Sequence, residues 1–186
     1  MEYPTRNHAF APPMVLRLEG DSLVLEQEGR DPDRVSLREL RAVELSYFPT
    51  RAELNRYRCR LYTQSGRRIE FFNRTYRGIM DFEDTSQGYK DFLLALHEAL
   101  SRYNPDCQFR SGVSARQFWF NVACLGFVFF VLVFAFLYFM SNGILWVAFI
   151  KALILLFYLP YAIHWVRRNV PKRYAPDKIP AEVLPQ

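Results

Sequence analysis

Neither of the two longest apolar runs in this chain, 118–140 and 144–166, contains an Asp or Glu. That absence excludes a buried carboxylate relay or an acid-lined ion pathway, the usual functional use of ionisable groups in such segments. Cysteine is almost as scarce. Cys59, Cys107 and Cys124 lie far apart and form no C-x-x-C, so neither a zinc site nor a redox pair is expected. The N-terminus, MEYPTRNHAFAPPM, has prolines and charges where a cleavable signal would have an apolar stretch. No phosphate-binding Gly-rich loop, dinucleotide turn, metal-ligand spacing or Ser-His-Asp order is present, so no catalytic residue, cofactor or metal site is expected. His8 and His97 stand in unrelated contexts, and His164 fits an interfacial residue better than a ligand.

What the chain does have is divided sharply. Residues 1–110 hold 17 Lys+Arg against 17 Asp+Glu, whereas residues 111–186 hold 7 against 2, so the whole +5 excess belongs to the apolar half. No domain-wide basic face exists, which argues against a nucleic-acid partner. Each apolar run has 23 residues, about 34 Å as helix, enough for a hydrocarbon layer of about 30 Å. The Ser141–Gly143 break between them is too short for anything but an antiparallel hairpin, and Asn-Gly suits a tight turn. Arg116 precedes the first run, Arg167 and Arg168 follow the second, and the break carries no charge. The positive-inside rule then predicts a multi-pass membrane protein with both termini in the cytoplasm and Trp146 and Trp165 in the two aromatic belts. A re-entrant wedge is the competing reading. Lys151, about 12 Å of helix past Gly143, either snorkels to the outer interface or pairs with a lipid phosphate or an acidic partner. Pro160 is expected to kink the second helix.

The soluble half alternates with period two. Met14–Leu18, Leu23–Leu25, Val35–Leu37, Val43–Tyr47, Tyr57–Thr63, Arg68–Asn73 and a short Gly78–Phe82 read as six or seven antiparallel strands, with turns at Gly20-Asp21 and Ser65-Gly66. The period then changes to 3.6, and Tyr89, Phe92, Leu93, Leu96, Leu100 and Tyr103 share one helical face. Asp84 with Gln87 reads as its N-cap pair, and Asn104-Pro105 as its stop. The fold class is therefore α+β, an antiparallel sheet closed by one amphipathic helix and followed by the hairpin.

The strand order, the segment RVSLRELRAVELSY (residues 34–47), the hairpin RYRCRLYTQSGRRIEF and the terminal helix resemble the bacterial PH-like domains. The whole chain, with its tail WVRRNVPKRY…DKIPAEVLP, resembles an uncharacterised family of small bacterial inner-membrane proteins. The resemblance implies a bent β-sandwich or barrel capped by a C-terminal helix and fused to a transmembrane hairpin. It also implies a binding or scaffold module without catalytic residues. On this reading residues 1–12 are an N-terminal extension, 13–104 the PH-like domain, 105–117 a linker, 118–166 the hairpin and 167–186 a Pro-rich cytoplasmic tail, either disordered or lying along the domain.

The candidate site is a run of arginines, Arg56, Arg58, Arg60, Arg67, Arg68, Arg74 and Arg77, set against Glu70 alone in residues 56–77. Planar guanidiniums favour multidentate contact with carboxylate or phosphate. Three readings stay open: internal pairing with the acidic stretches 19–33 and 81–91, a dock for an acidic protein, and contact with anionic phospholipid headgroups. At the hairpin, Arg116, Trp146, Lys151, Trp165, Arg167 and Arg168 are the expected membrane-interface residues. The expected function is a non-enzymatic adaptor or accessory subunit with a membrane or cytosolic protein partner. The alternative is a protein that binds or handles anionic lipid.

Overall fold

The computed structural model describes residues 1–7, 9–50, 53–78 and 81–185, in two compact units. The first combines residues 1–112 with 172–186, and the second is residues 113–171.

In the first unit two meanders follow one another. Strands β1 (Glu2–Thr5), β2 (Met14–Glu19), β3 (Ser22–Gln27) and β4 (Asp33–Ser36) form an antiparallel four-stranded sheet in sequence order. The β2–β3 turn places Gly20 at φ 57°, a conformation that favours glycine. A single 3₁₀ turn, Leu37–Glu39, leads into β5 (Leu40–Tyr47), β6 (Tyr57–Thr63) and β7 (Arg68–Phe72), with Gly66 at φ 84° in the β6–β7 hairpin. A separate two-stranded ribbon, β8 (Arg74–Gly78) with β9 (Asp81–Asp84), precedes helix α1 (Ser86–Tyr103). The architecture is α+β, and among the described residues no barrel is closed. The expected strand Gly78–Phe82 lies partly outside the described residues, at 79 and 80.

Alternation fixes the core. Leu16, Leu23, Leu45, Cys59, Leu61 and Phe71 are fully buried, and α1 contributes Phe92, Leu93, Leu96 and Leu100 from the expected face. Tyr3 on β1 completes it, with its ring 5.7 Å from Phe92 and 5.8 Å from Phe71 and its hydroxyl donating to the Phe72 carbonyl. Burying each such side chain contributes about 1.5–3 kcal/mol. The α1 cap differs in detail from the expectation. Thr85 is the N-cap residue, Asp84 accepts from the Ser86 amide at 2.9 Å, and Gln87 turns forward to Asp91 instead of back. The backbone enters the helix one residue later than the capping pair required.

Beyond α1 the chain adds strand β10 (Gln108–Ser111), inside the stretch read as a linker, and it pairs in parallel with β5. Strand β11 (Lys172–Arg173), in the tail, then pairs antiparallel with β10. The second sheet therefore has the order β11-β10-β5-β6-β7. The rest of the tail forms a 3₁₀ turn, Ala181–Val183, packed against β5 with Val183 buried.

The second unit is a helical hairpin. Helix α2 (Ala115–Ser141) begins under a Ser114 cap whose hydroxyl accepts from the Gln117 amide. A turn with Gly143 at φ 71° leads into α3 (Leu145–Asn169), which continues through Pro160. Both helices are long and apolar enough to cross a membrane. Their outer surfaces are bare of protein: Phe127, Trp146 and Phe157 are 68–75 % exposed, while Ala148, at the close approach of the helices, is 1 % exposed.

Candidate functional site

Only part of the arginine run, Arg58 and Arg60, lies on the face of β6 turned from the core, and the register shows why. Tyr57, Cys59 and Leu61 point into the core, so Arg58 and Arg60 occupy the other face of β6. Arg60 stands between Glu44 of β5 and Glu70 of β7. Its Nε donates to Glu70 Oε2 at 2.5 Å, and its Nη1 lies 3.6 Å from Glu44 Oε1. Arg58 stands between Ser46 and Phe72, donates to Ser46 Oγ at 3.2 Å, and lies 4.2 Å from the ring centre of Phe48. It is 2 % exposed. Arg56 covers the Phe72 ring at 3.9 Å and reaches Glu53 at 3.8 Å. Arg74 bridges Glu53 at 3.5 Å and Asp84 at 3.2 Å. Arg77 pairs with Glu83 at 2.7 Å across the β8–β9 ribbon, and Arg67 pairs with Asp33. Arg68, opposite Tyr62, is exposed.

The seven arginines thus do not converge on one open site. Arg56, Arg58, Arg60 and Arg74 belong to a largely buried polar network, and Arg67, Arg68 and Arg77 sit at its margins. Burial pushes the Glu44 carboxyl up against the opposing pull of Arg60, Arg58 and Arg110, and does the same to Glu53 against Arg56 and Arg74. Burial likewise lowers Arg58 and Arg56. Among the described residues no group of three or more His, Cys, Asp or Glu comes together to hold a metal.

A second constellation, which sequence reasoning missed, holds the tail to the domain. His97 on the buried face of α1 places Nδ1 2.7 Å from the Leu93 carbonyl and Nε2 2.9 Å from the Tyr174 hydroxyl. A carbonyl only accepts, so Nδ1 carries the proton, and Nε2 accepts from the Tyr174 O–H. The Phe109 ring of β10 completes the cluster, 4.9 Å from His97 and 5.9 Å from Tyr174. Burial without a facing carboxylate lowers the His97 pKa to about 4. Next to it lies a cleft of about 300 Å³ bordered by Ser101, Pro105, Cys107 and Pro176. The only hint in the sequence was the spacing of His97, four residues past Leu93 and three before Leu100, on the apolar stripe.

At the hairpin, Arg116 lies in the first turn of α2 and Arg167 and Arg168 in the last turn of α3, where the helix dipole favours a cation. Trp165 stacks on Phe118 at 6.4 Å at this same end. Trp146 and Tyr138 flank the opposite, uncharged end, and Lys151 lies about 9 Å along α3 from Leu145. Two grooves open between the helices. One of about 420 Å³ is lined by Asn121, Cys124, Val128, Tyr161 and Trp165. The other, about 390 Å³, is lined by apolar residues around Gly126 and ends at Arg167. Leu125 and Tyr158 border both, and the Tyr158 hydroxyl donates to the Leu125 carbonyl at 3.1 Å.

Fold and side chains together define an α+β protein with two long apolar C-terminal helices. Comparison with known protein families, curated proteins and solved structures finds no match for this chain.

Proposed function

We propose that the chain is a non-enzymatic integral membrane protein. Its helices cross the bilayer as a hairpin, and its β-unit is a PH-like scaffold at the cytoplasmic face of a bacterial inner membrane, recruiting or stabilising a membrane or cytosolic protein partner. The observation that carries this reading is the pairing of β10 with β11. The two strands flank the hairpin in sequence, and a strand pair cannot form across a hydrocarbon layer. Their pairing therefore supports an even number of crossings, with both flanks on one side. The exposed apolar surface of α2 and α3 argues against a soluble helical core, since water would have to wet Phe127, Phe157 and their neighbours. Arg116, Arg167 and Arg168 at one end, against the uncharged Ser141–Gly143 turn at the other, support the cytoplasmic assignment. Two successive meanders followed by α1 fit a bent sandwich capped by a helix, which supports the PH-like reading.

The test is a pair of single cysteines in a background with Cys59, Cys107 and Cys124 replaced. Asn142→Cys is expected to label from outside intact cells, and Ser65→Cys only after lysis. Labelling of both from the same side sinks the hairpin topology. The scaffold role predicts a stoichiometric protein partner after purification in mild detergent. A second reading, binding of anionic lipid, is favoured by one observation: residues 113–171 contain four cations and no acid.

A further inference from the structure

We propose that the groove on the Gly126 side of the hairpin is a binding site for one anionic phospholipid, with an acyl chain between α2 and α3 and the headgroup phosphate on Arg167. The site rests on the membrane-spanning reading of the two helices. Its floor exists because Gly126 has no side chain and a Cβ built there would meet nothing within 4 Å. The Tyr158–Leu125 hydrogen bond fixes the spacing of the helices beside that gap. Val122, Phe129, Ile163 and Val166 supply apolar walls, and the volume of about 390 Å³ falls within the range of natural ligand sites. Inside the bilayer no methylene leaves water, so an acyl chain is held in the groove by van der Waals packing against these walls, and the headgroup contact supplies the selectivity.

The polarity of the groove selects the occupant. Its single charged lining residue is Arg167, at one end, in the last turn of α3. That end also holds Arg116 and Trp165, the residue types of a headgroup-level belt. A guanidinium there meets a phosphate with planar, paired N–H groups. Nothing within residues 113–171 can serve as counter-charge, because the segment has Arg116, Lys151, Arg167 and Arg168 and no Asp or Glu. The same fact disfavours a second copy of the hairpin as occupant, since its helices would bring further cations and no anion to Arg167. The opposite groove, with Asn121, Cys124 and Tyr161, has no charged lining residue and lacks the handle for a headgroup.

The test uses the full chain purified from membranes containing phosphatidylglycerol and phosphatidylcholine, with bound lipid counted by native mass spectrometry. One phosphatidylglycerol per chain is expected to stay bound. Arg167→Gln should weaken the preference for phosphatidylglycerol roughly five-fold, the size expected for one cation at a membrane surface. Gly126→Leu should remove retained lipid of either kind, while Cys124→Leu in the other groove should change nothing. Equal retention of the two lipids, an unchanged preference in Arg167→Gln, or cross-linking of two chains through residue 126 would overturn the site. Arg167 is exposed and tolerates Gln, so that variant decides the matter if Gly126→Leu does not fold. Release of the wild-type chain from membranes by alkaline carbonate would instead overturn the membrane reading itself, and is scored separately.

Discussion

Acidification is expected to release the tail, and His97 is the group responsible. In the folded unit its imidazole is 2 % exposed, faces a carbonyl and a phenol, and has its pKa lowered to about 4 from 6.5. The folded state therefore disfavours the proton, and between pH 6.5 and 4 the open chain binds more protons than the closed one. The His97 contribution to stability is constant above pH 6.5, falls as the pH drops through that window, and is lower by about 3 kcal/mol below pH 4. Opening the tail exposes Nε2, so the loss should appear first at β11 and Tyr174. Hydrogen-exchange protection of the Arg173 and Tyr174 amides, corrected for intrinsic rates, should fall by about two orders of magnitude between pH 7 and pH 4. The Glu44 and Glu53 carboxyls work in the opposite direction. Their raised pKa values make the folded state the better proton acceptor, so each adds stability as the pH falls. His97→Gln keeps an N–H for Leu93 and an acceptor for Tyr174 but cannot titrate. If protection at β11 falls as far in His97→Gln as in the wild type, or does not fall in either, the reasoning about His97 is wrong.

Two further outcomes follow from the same geometry. Tyr174→Phe keeps the ring contacts with His97 and Phe109 but leaves the buried Nε2 without a donor, so a loss of about 1–3 kcal/mol is expected in denaturant titration, together with faster proteolysis of the tail. Arg60→Met should destabilise by about 3–5 kcal/mol, because Glu44 and Glu70 lose the cation between them, whereas Arg58→Met, at a buried cation with no carboxylate at ion-pair distance among the described residues, should cost clearly less. Equal losses in the two variants would contradict the network as described.

The elements that were legible in the sequence are those whose signal is local. Gly20 and Gly66 mark tight turns between strands with a period-two apolar pattern, such as Leu16-Leu18 and Tyr57-Cys59-Leu61, and the α1 stripe from Tyr89 to Leu100 repeats with helical period. The two apolar helices declare themselves by length. What was hidden depends on distant partners. Strand β1 contains Pro4, which demotes a strand reading, yet its edge position on β2 tolerates the missing amide. Strands β10 and β11 have four and two residues, and their partners lie more than sixty positions away in sequence. Of the arginine face only part was legible: pairing with the stretches 19–33 and 81–91 was one of the open readings, and Arg67–Asp33, Arg74–Asp84 and Arg77–Glu83 follow it, while the partners of Arg58 and Arg60 were hidden for a related reason. Alternating Arg58 and Arg60 suggest a solvated face until the register brings Glu44 and Glu70 beside Arg60 and the Phe48 ring against Arg58.

A two-residue strand cannot by itself bring back a tail that leaves the domain at Gly112 and returns at Lys172. Closing a flexible loop of that length costs about 3–4 kcal/mol, more than two ladder pairs supply. The hairpin removes most of that cost, because α2 and α3 already bring their own ends together, with the Val113 amide donating to the Asn169 carbonyl at 3.3 Å. With Val113 and Asn169 held together, the loop that the Ser111–Lys172 pairing must close is effectively a few residues long. Tail docking, through β11, Tyr174 and Val183, therefore depends on hairpin packing even though none of these residues belongs to the hairpin. A change that parts α2 from α3, such as loss of the Tyr158–Leu125 hydrogen bond, should loosen the tail at the far end of the chain's path without touching it.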